Sequence, residues 1–317
     1  MQSPLKAAAL VVVLAAVSVA VTGCTQFNML QARMSIDKAH LLYQQQDWKR
    51  AAERYEETIK FDPNQNQAYF YLANSYDNLY KPSRKGDPTN DGYMVKAVEY
   101  YRKASQVDPE PKTRTLALQY LVNAYSPDKL NDPGQAEPLV QEMIKLDPTE
   151  PTNYYVLAKM YEDAGMYEQA EETLQRARQA RPNDPGVYMQ LARFYNDLGE
   201  FDKAMAAQYD RVKVEPDNPE GWYTISVFFW EKANKDFRLK DPDKRKFLEQ
   251  GMEAVNKSLG LNANYIEALV YKGLILRSQA LLEKEPAKQN ALIAEANQLR
   301  DKAQTLQKKK AAGEAVR

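Results

Sequence analysis

Apolar side chains recur at helical spacing along most of the chain, and in its middle the same arrangement returns in a second segment. Residues 149–216 hold two consecutive segments with a tyrosine, a leucine, an alanine and a second tyrosine in the same order: Tyr154, Leu157, Ala158 and Tyr161, then Tyr188, Leu191, Ala192 and Tyr195. Spacings of three and four residues place such side chains on one face of a helix. The pattern therefore predicts amphipathic helices in units of constant length.

Prolines and glycines punctuate these units. Pro148, Pro182 and Pro216 lie 34 residues apart, and Pro63 and Pro109 precede them with the same acidic residue in front. Proline cannot continue a helix, so each is expected just beyond a helix end. Inside the two regular units, Gly165 and Gly199 predict a second turn, and Ala170 and Ala204 follow where two helices must approach closely. Each unit therefore reads as helix, turn, helix.

A 34-residue unit with these anchor positions resembles the tetratricopeptide repeat family. The frame extends outward through large residues at the first anchor (Tyr69, Leu118, Trp222, Leu269) and small residues in the second helix (Ala51, Ala97, Ala136, Gly251). The resemblance covers residues 32–280. It implies an all-α fold, a right-handed α-solenoid of about seven helix-turn-helix repeats, since one unit cannot bury its apolar face alone. Residues 281–317 are expected to form a long C-terminal capping helix with a frayed tail.

Two insertions interrupt the repeat frame. The second unit carries about a dozen extra residues near 81–92, and the sixth carries about as many near 232–246. The second insertion contains seven basic and three acidic residues and Phe237, with Phe247 following it. It is either a docking element, a contact for anionic lipid headgroups, or a solvated extension of the hairpin.

The N-terminus predicts secretion and lipid attachment. Lys6 precedes an uncharged, mostly apolar run from Ala7 to Val21, which is too short for a membrane-spanning helix. The segment Val21-Thr22-Gly23-Cys24 resembles a bacterial lipobox, which implies cleavage before Cys24 and acylation of that residue. We therefore expect a signal peptide at 1–23 and a lipidated tether at 24–31; the alternative is an ordinary signal peptide or an uncleaved anchor. In Gram-negative lipoproteins, a residue such as Thr25 after the cysteine favours the outer membrane, with the protein facing the periplasm.

Composition argues against several function classes. The chain has 43 basic and 43 acidic residues, so the basic excess of nucleic-acid binders is absent. Its single histidine, His40, and single cysteine, Cys24, leave little material for a catalytic triad or a histidine–cysteine metal site. No glycine-rich phosphate loop is present either. We therefore expect no enzyme, no cofactor and no metal.

The family resemblance also implies a binding groove lined by the first helix of each unit. One row of groove positions reads Ile36, Phe70, Gln119, Tyr155, Met189, Tyr223, and the row one turn further reads His40, Asn74, Asn123, Lys159, Arg193, Val227. We take Phe70, Asn74, Asn123, Tyr155, Lys159, Met189, Arg193 and Tyr223 as candidate peptide-binding residues. The alternative is that the aromatic members only pack between neighbouring helices.

Together these features predict an envelope lipoprotein that acts as a scaffold for protein–protein interaction, binding a peptide or a helix, and serving as an assembly factor for an envelope complex. The partner would be a protein or peptide, and the membrane contact would be the lipid anchor. Two alternatives stay open: a structural protein that self-associates through its C-terminal helix, and a binder of a non-protein ligand such as glycan.

Overall fold

Helices account for nearly all of the chain that can be described. The computed structural model describes residues 26–313, and within that range there are fourteen α-helices and no strand. The helices are α1 (26–44), α2 (Trp48–Phe61), α3 (Asn66–Leu79), α4 (Pro88–Val107), α5 (Pro111–Ala124), α6 (Pro133–Leu146), α7 (Pro151–Asp163), α8 (Tyr167–Ala180), α9 (Pro185–Asp197), α10 (Phe201–Val214), α11 (Pro219–Lys235), α12 (Asp241–Leu261), α13 (Ile266–Leu282) and α14 (Pro286–Ala311). The predicted all-α class is confirmed.

The chain divides into two compact units, where the sequence suggested a single solenoid over residues 32–280. Unit 1 is Met1–Met160 and unit 2 is Tyr161–Arg317. In unit 1 one continuous core runs from Ala39 of α1 to Met143 of α6. Unit 2 has smaller core clusters, among them one around Ile225 and Phe229, one around Leu248 and Val255, and one around Leu269.

The prolines that mark the period lie in the turns between helix pairs, as predicted. Pro63, Pro148 and Pro182 each stand two residues beyond the end of α2, α6 and α8. The carbonyl oxygen of each proline accepts a hydrogen bond from the anchor tyrosine six residues later. The three bonds run from Tyr69 to Pro63 at 3.0 Å, from Tyr154 to Pro148 at 3.0 Å, and from Tyr188 to Pro182 at 2.7 Å. The anchor thus ties the turn to the following helix.

The predicted turn glycines have the backbone conformation that requires glycine. Gly165 has φ 73° and Gly199 has φ 75°, which is the left-handed region that side chains with a Cβ disfavour. Each follows the first helix of its pair and lets the chain reverse into the second, which begins at Tyr167 in one case and at Phe201 in the other.

The small-residue position of the second helix is buried wherever the sequence placed it. Ala51, Ala97 and Ala136 in unit 1, and Ala170 and Ala204 in unit 2, have almost no exposed surface. At the equivalent Gly251, an added Cβ would lie 3.4 Å from both Ile275 and Phe229. The helices therefore approach closely there, and only a small side chain fits between them.

The two insertions mostly lengthen helices. Around the first, a short 3₁₀ turn at Pro82–Arg84 leads into α4, which has 20 residues where α2 and α3 have 14. Around the second, α11 extends to Lys235 and α12 begins at Asp241 with 21 residues, so that residues 236–240 form the connection. A proline at the first turn of α4 and of α12 suits these helix starts.

The long C-terminal helix is α14, and it packs against α13. Ala303, Leu299 and Leu306 contact the cluster of Ile266 and Leu269. Close approach is possible at Gly273, where an added Cβ would lie 3.5 Å from the Ala296 carbonyl oxygen. The last residues of the predicted tail, 314–317, lie outside the described residues.

The N-terminal predictions fall mainly outside the described residues, including the signal peptide at 1–23 and Cys24. Residues 26–31, assigned to the tether, belong to α1; those at 26–30 are exposed, and packing starts at the buried Ala32. Among residues 26–313, no helix combines the length and apolar character needed to cross a bilayer.

The tyrosine-to-proline bond is testable at Tyr188. We expect Tyr188→Phe to lower the free energy of unfolding by about 1 kcal/mol, because the Pro182 carbonyl oxygen loses its donor. Tyr167→Phe is the matched control, since Tyr167 is 50% exposed, and it should change stability by less than about 0.5 kcal/mol. Urea unfolding followed by circular dichroism measures both. Equal stability of the two variants would contradict this role for the bond.

Candidate functional site

The groove residues predicted in unit 1 do not share one environment. Phe70 and Asn74 on α3 are buried, whereas Asn123 on α5 and Lys159 on α7 are exposed, and Tyr155 is partly buried. The structure therefore places Phe70 and Asn74 in the core of unit 1 and not on a groove surface. The neighbouring helices α1 and α5 cover them, which the repeat frame alone does not reveal.

The groove residues predicted in unit 2 are more accessible but are engaged with neighbours. Met189 on α9 is exposed. The Arg193 guanidinium is paired with Glu162 at 2.8 Å and with Asp197 at 3.0 Å, and the Glu162 bond raises the pKa of Arg193 further. The Tyr223 ring makes edge contacts with Tyr265 at 5.4 Å and Tyr271 at 5.3 Å between centroids.

Asn74 joins three helices of unit 1 through its side-chain amide. Its Oδ1 accepts a hydrogen bond from the Tyr43 hydroxyl of α1 at 2.6 Å, and its Nδ2 donates to the Tyr101 hydroxyl of α4 at 3.1 Å. The Asn78 amide adds a 3.0 Å bond to the same Oδ1. A buried amide that satisfies its partners in this way fixes the positions of the groups around it.

Tyr71, the residue after Phe70, lies at the centre of an aromatic cluster. Its ring stacks on Tyr55 with centroids 5.9 Å apart and meets the edges of His40 at 5.0 Å and of Tyr43 at 5.1 Å. Tyr120 of α5 continues the cluster, with its ring 5.5 Å from Phe70 and 5.2 Å from Tyr101. We call the partly buried tyrosines Tyr43, Tyr71 and Tyr120 the tyrosine face of unit 1.

Two hydroxyls of the tyrosine face form no hydrogen bond within the described residues. The Tyr43 hydroxyl is used by Asn74, but the hydroxyls of Tyr71 and Tyr120 have no partner there, and neither is enclosed away from solvent. Both rings are held by neighbouring rings, so these polar groups are presented at defined positions. They are available to donate to or accept from a ligand.

The acid–base character of the face is neutral. Burial, with smaller contributions from Tyr120 and Tyr71, raises the pKa of Tyr43 to about 12. Burial also lowers the pKa of His40, against the opposing effect of Asp37, and His40 Nδ1 is bonded to the Tyr55 hydroxyl at 2.7 Å. Because a lowered histidine pKa keeps the neutral ring favoured, His40 carries no charge in the folded protein at neutral pH.

One ion pair borders the face. Lys129 Nζ lies 2.7 Å from Asp77 Oδ1, and the side chains are only 15% and 9% exposed. Lys85 donates at 2.8 Å to the Lys129 carbonyl oxygen. These contacts tie the α5–α6 connection to α3 and to the first insertion. The insertion therefore braces the turn beside the tyrosine face.

Tyr43, Tyr71 and Tyr120 were not among the sequence-predicted site residues. A signal for two of them exists: in two consecutive repeats, a tyrosine occupies the position immediately after the predicted groove row, at Tyr71 after Phe70 and Tyr120 after Gln119. A helix turns about 100° per residue, so a face one position away points in a clearly different direction.

In the described part of the chain, no group of three or more histidine, cysteine or acidic side chains is arranged to hold a metal ion. His40 is hydrogen-bonded to a tyrosine and packed between rings. The chemistry that the face offers is aromatic contact and hydroxyl hydrogen bonding, which serves recognition.

Family comparison identifies the repeat. One tetratricopeptide repeat model matches residues 129–189 and 165–225, and a second matches residues 36–79. The chain contains tetratricopeptide repeats. The matched segments include the predicted regular repeats and, in unit 1, helices α2 and α3. Tetratricopeptide repeat proteins are typically non-enzymatic scaffolds, and this fold is of the kind that serves protein interaction.

Solved structures of tetratricopeptide repeat proteins share the fold. The C-terminal part of a TPR repeat-containing protein from Cytophaga hutchinsonii is 14% identical, with a TM-score of 0.53, and the match covers 83% of this chain and 95% of that one. A tetratricopeptide repeat protein from Parabacteroides merdae is 12% identical, with a TM-score of 0.44 and coverage of 84% and 99%. YrrB, titled a TPR protein with an unusual peptide-binding site, is 17% identical, with a TM-score of 0.39 and coverage of 69% and 97%. No curated protein sequence matches the chain.

The role of Asn74 can be tested by its removal. We expect Asn74→Ala to lower the free energy of unfolding by about 1–3 kcal/mol, because the partly buried Tyr43 hydroxyl loses its acceptor and the buried Tyr101 hydroxyl loses a donor. Asn123→Ala, at an exposed position of α5, is the control and should cost less than about 0.5 kcal/mol. Guanidinium unfolding followed by tyrosine fluorescence compares them. If the two variants are equally stable, Asn74 does not hold the tyrosine face together.

Proposed function

We propose that the protein is a lipid-anchored envelope scaffold that binds a peptide or helix of a partner protein on the tyrosine face of unit 1. The observation that carries the proposal is the pair of Tyr71 and Tyr120 hydroxyls, which have no hydrogen-bond partner among the described residues while the rings beneath them are fixed. An assembly factor for an envelope complex is the role we assign to such a scaffold.

The energetics favour recognition by this face. Tyrosine is enriched among the residues that dominate binding energy, since it combines a large apolar ring with a polar end and has few rotatable bonds. Tyr71 loses little further freedom on binding, because Tyr55 stacks on its ring and His40 and Tyr43 border it. Binding to a surface ordered in advance costs less conformational entropy.

Two alternative functions have less support. A glycan binder stacks sugars on open aromatic faces, whereas Tyr55 covers one face of Tyr71, and Tyr101 lies against Tyr120 at a 30° tilt. Self-association through the C-terminal helix requires an apolar side on α14, but Leu299, Ala303 and Leu306 are already used in packing with Ile266 and Leu269. We therefore favour a protein partner.

Membrane attachment is proposed from the N-terminal sequence. The apolar run that ends at Val21-Thr22-Gly23-Cys24 supports acylation of Cys24, and Thr25 supports sorting to the outer membrane with the protein facing the periplasm. More than one acyl chain is needed for stable attachment, which the acylated lipobox cysteine of this class would supply.

The anchor proposal predicts a specific chemical change. Cells that express the full chain with an alkyne-tagged palmitate should label the wild type and fail to label Cys24→Ser, because the sulfur and the new amino group are the acylation sites. Thr25→Asp is the matched control: it should keep the label but move the protein from the outer to the inner membrane fraction. Equal labelling of wild type and Cys24→Ser would refute lipidation at this residue.

The binding proposal predicts position-specific crosslinking. A photo-crosslinking amino acid at Tyr71 or Tyr120 of the full chain should capture the same protein in cells, since both positions border one surface. The control position is Val95 on α4, which is 63% exposed and should not capture it. Mass spectrometry identifies the products. Identical product patterns from all three positions would count against a partner on the tyrosine face.

A further inference from the structure

The connection between α11 and α12 presents an aromatic side chain to solvent within a basic segment. Phe237 is 91% exposed, the highest value among the large apolar side chains of residues 26–313. The surrounding residues 232–246 include seven basic and three acidic side chains. Exposing a phenylalanine to water is unfavourable, so this arrangement calls for an environment that accepts both an apolar group and positive charge.

The connection is held in a defined conformation by Asp236. Its carboxylate accepts hydrogen bonds from Arg238 at 2.8 Å and 2.9 Å and from Lys232 at 2.8 Å, and it also accepts from the Arg238 backbone N–H at 3.1 Å. These bonds, first those of Arg238 and then that of Lys232, hold the pKa of Asp236 well below its usual range. The turn therefore presents Phe237 outward as a fixed point.

A second exposed apolar residue lies at the same end of unit 2. Leu281, at the end of α13, is 82% exposed. The Arg245 guanidinium near the start of α12 donates to the Leu282 carbonyl oxygen, and Gln289 of α14 donates to the Ala280 carbonyl oxygen at 3.0 Å. The end of α11, the start of α12, the end of α13 and the start of α14 therefore share one edge of the unit. We call it the Phe237 edge.

We propose that the Phe237 edge of unit 2 rests on an anionic lipid bilayer, with Phe237 and Leu281 inserted at the interface and the basic side chains on the headgroups. Charge complementarity supports this occupant, because basic residues near an anionic membrane surface each add to the attraction. Lys240, Lys244 and Lys246 form no ion pair within the described residues and supply charge for it.

A bilayer suits the edge better than an acidic protein segment does. Protein partners are bound where anchors enter pockets that exclude water. Phe237 and Leu281 instead project almost completely into solvent. Isolated apolar side chains that project among basic residues match the headgroup boundary, where the apolar group reaches the acyl region and the charges stay in the polar layer.

The test is a local probe of depth at the edge. The full chain carrying Cys24→Ser has no other cysteine, so an environment-sensitive NBD label can be placed by Phe237→Cys or Leu281→Cys. With phosphatidylcholine vesicles that contain phosphatidylglycerol, we expect both labels to shift their emission to the blue and to be quenched by spin-labelled lipids. Vesicles of phosphatidylcholine alone should leave them in water.

Matched variants give the proposal its sharp outcomes. A label at Leu261→Cys, at the opposite end of α12, should stay in water with either vesicle, whatever the N-terminal segment does. Replacing Lys240, Lys244 and Lys246 by glutamine should abolish the response at 237 while leaving the Asp236 bonds intact. The proposal is overturned if the 237 label stays in water on anionic vesicles, if 261 responds equally, or if only polyglutamate, and not the vesicles, shifts the label. It uses no residue of the tyrosine face, so its outcome is independent of the proposed scaffold function.

Discussion

The hydrogen bond from an anchor tyrosine to the carbonyl oxygen of the turn proline six residues before it is the contact on which the repeated structure depends. It occurs at Tyr69, Tyr154 and Tyr188 with the same geometry. The proline ends one helix pair, and the tyrosine fixes how the next pair leaves the turn. A buried alanine in each second helix then lets the paired helices approach closely. Where these angles and distances repeat, first helices lie side by side, and residues from α1, α3 and α5 can meet.

The tyrosine face follows from that arrangement. Asn74 lies on a helix that has α1 on one side and α4 and α5 on the other, so its amide can bond Tyr43 and Tyr101 together. The rings of Tyr55 and Tyr101 fill the space beneath, and this leaves Tyr71 and Tyr120 with fixed rings and hydroxyls without an internal partner. Stability and recognition are thus separated in neighbouring residues: Phe70 and Asn74 pack, while Tyr71 and Tyr120 face outward.

The repeat frame was predictable from the sequence because its signals are local. The period of the prolines, the glycines at Gly165 and Gly199 and the small residues at Ala170 and Ala204 each reflect a constraint within one helix pair. The site was harder to predict, since it depends on which side of a first helix its neighbours cover. That contact buried Phe70 and Asn74 and left Tyr71 accessible. The insertions were recognised as extra residues, but their helical form depends on packing against the adjacent pair and has no local signature.

The most direct test of the account is the affinity of the partner captured at Tyr71 for a variant that lacks only the two unpaired hydroxyls. Calorimetry on the full chain should show that Tyr71→Phe with Tyr120→Phe weakens binding about tenfold, because two hydrogen bonds are lost while the rings remain. Tyr209→Phe in unit 2, at a partly exposed tyrosine, should bind like the wild type. Unchanged affinity of the double variant would contradict the claim that these hydroxyls recognise the partner.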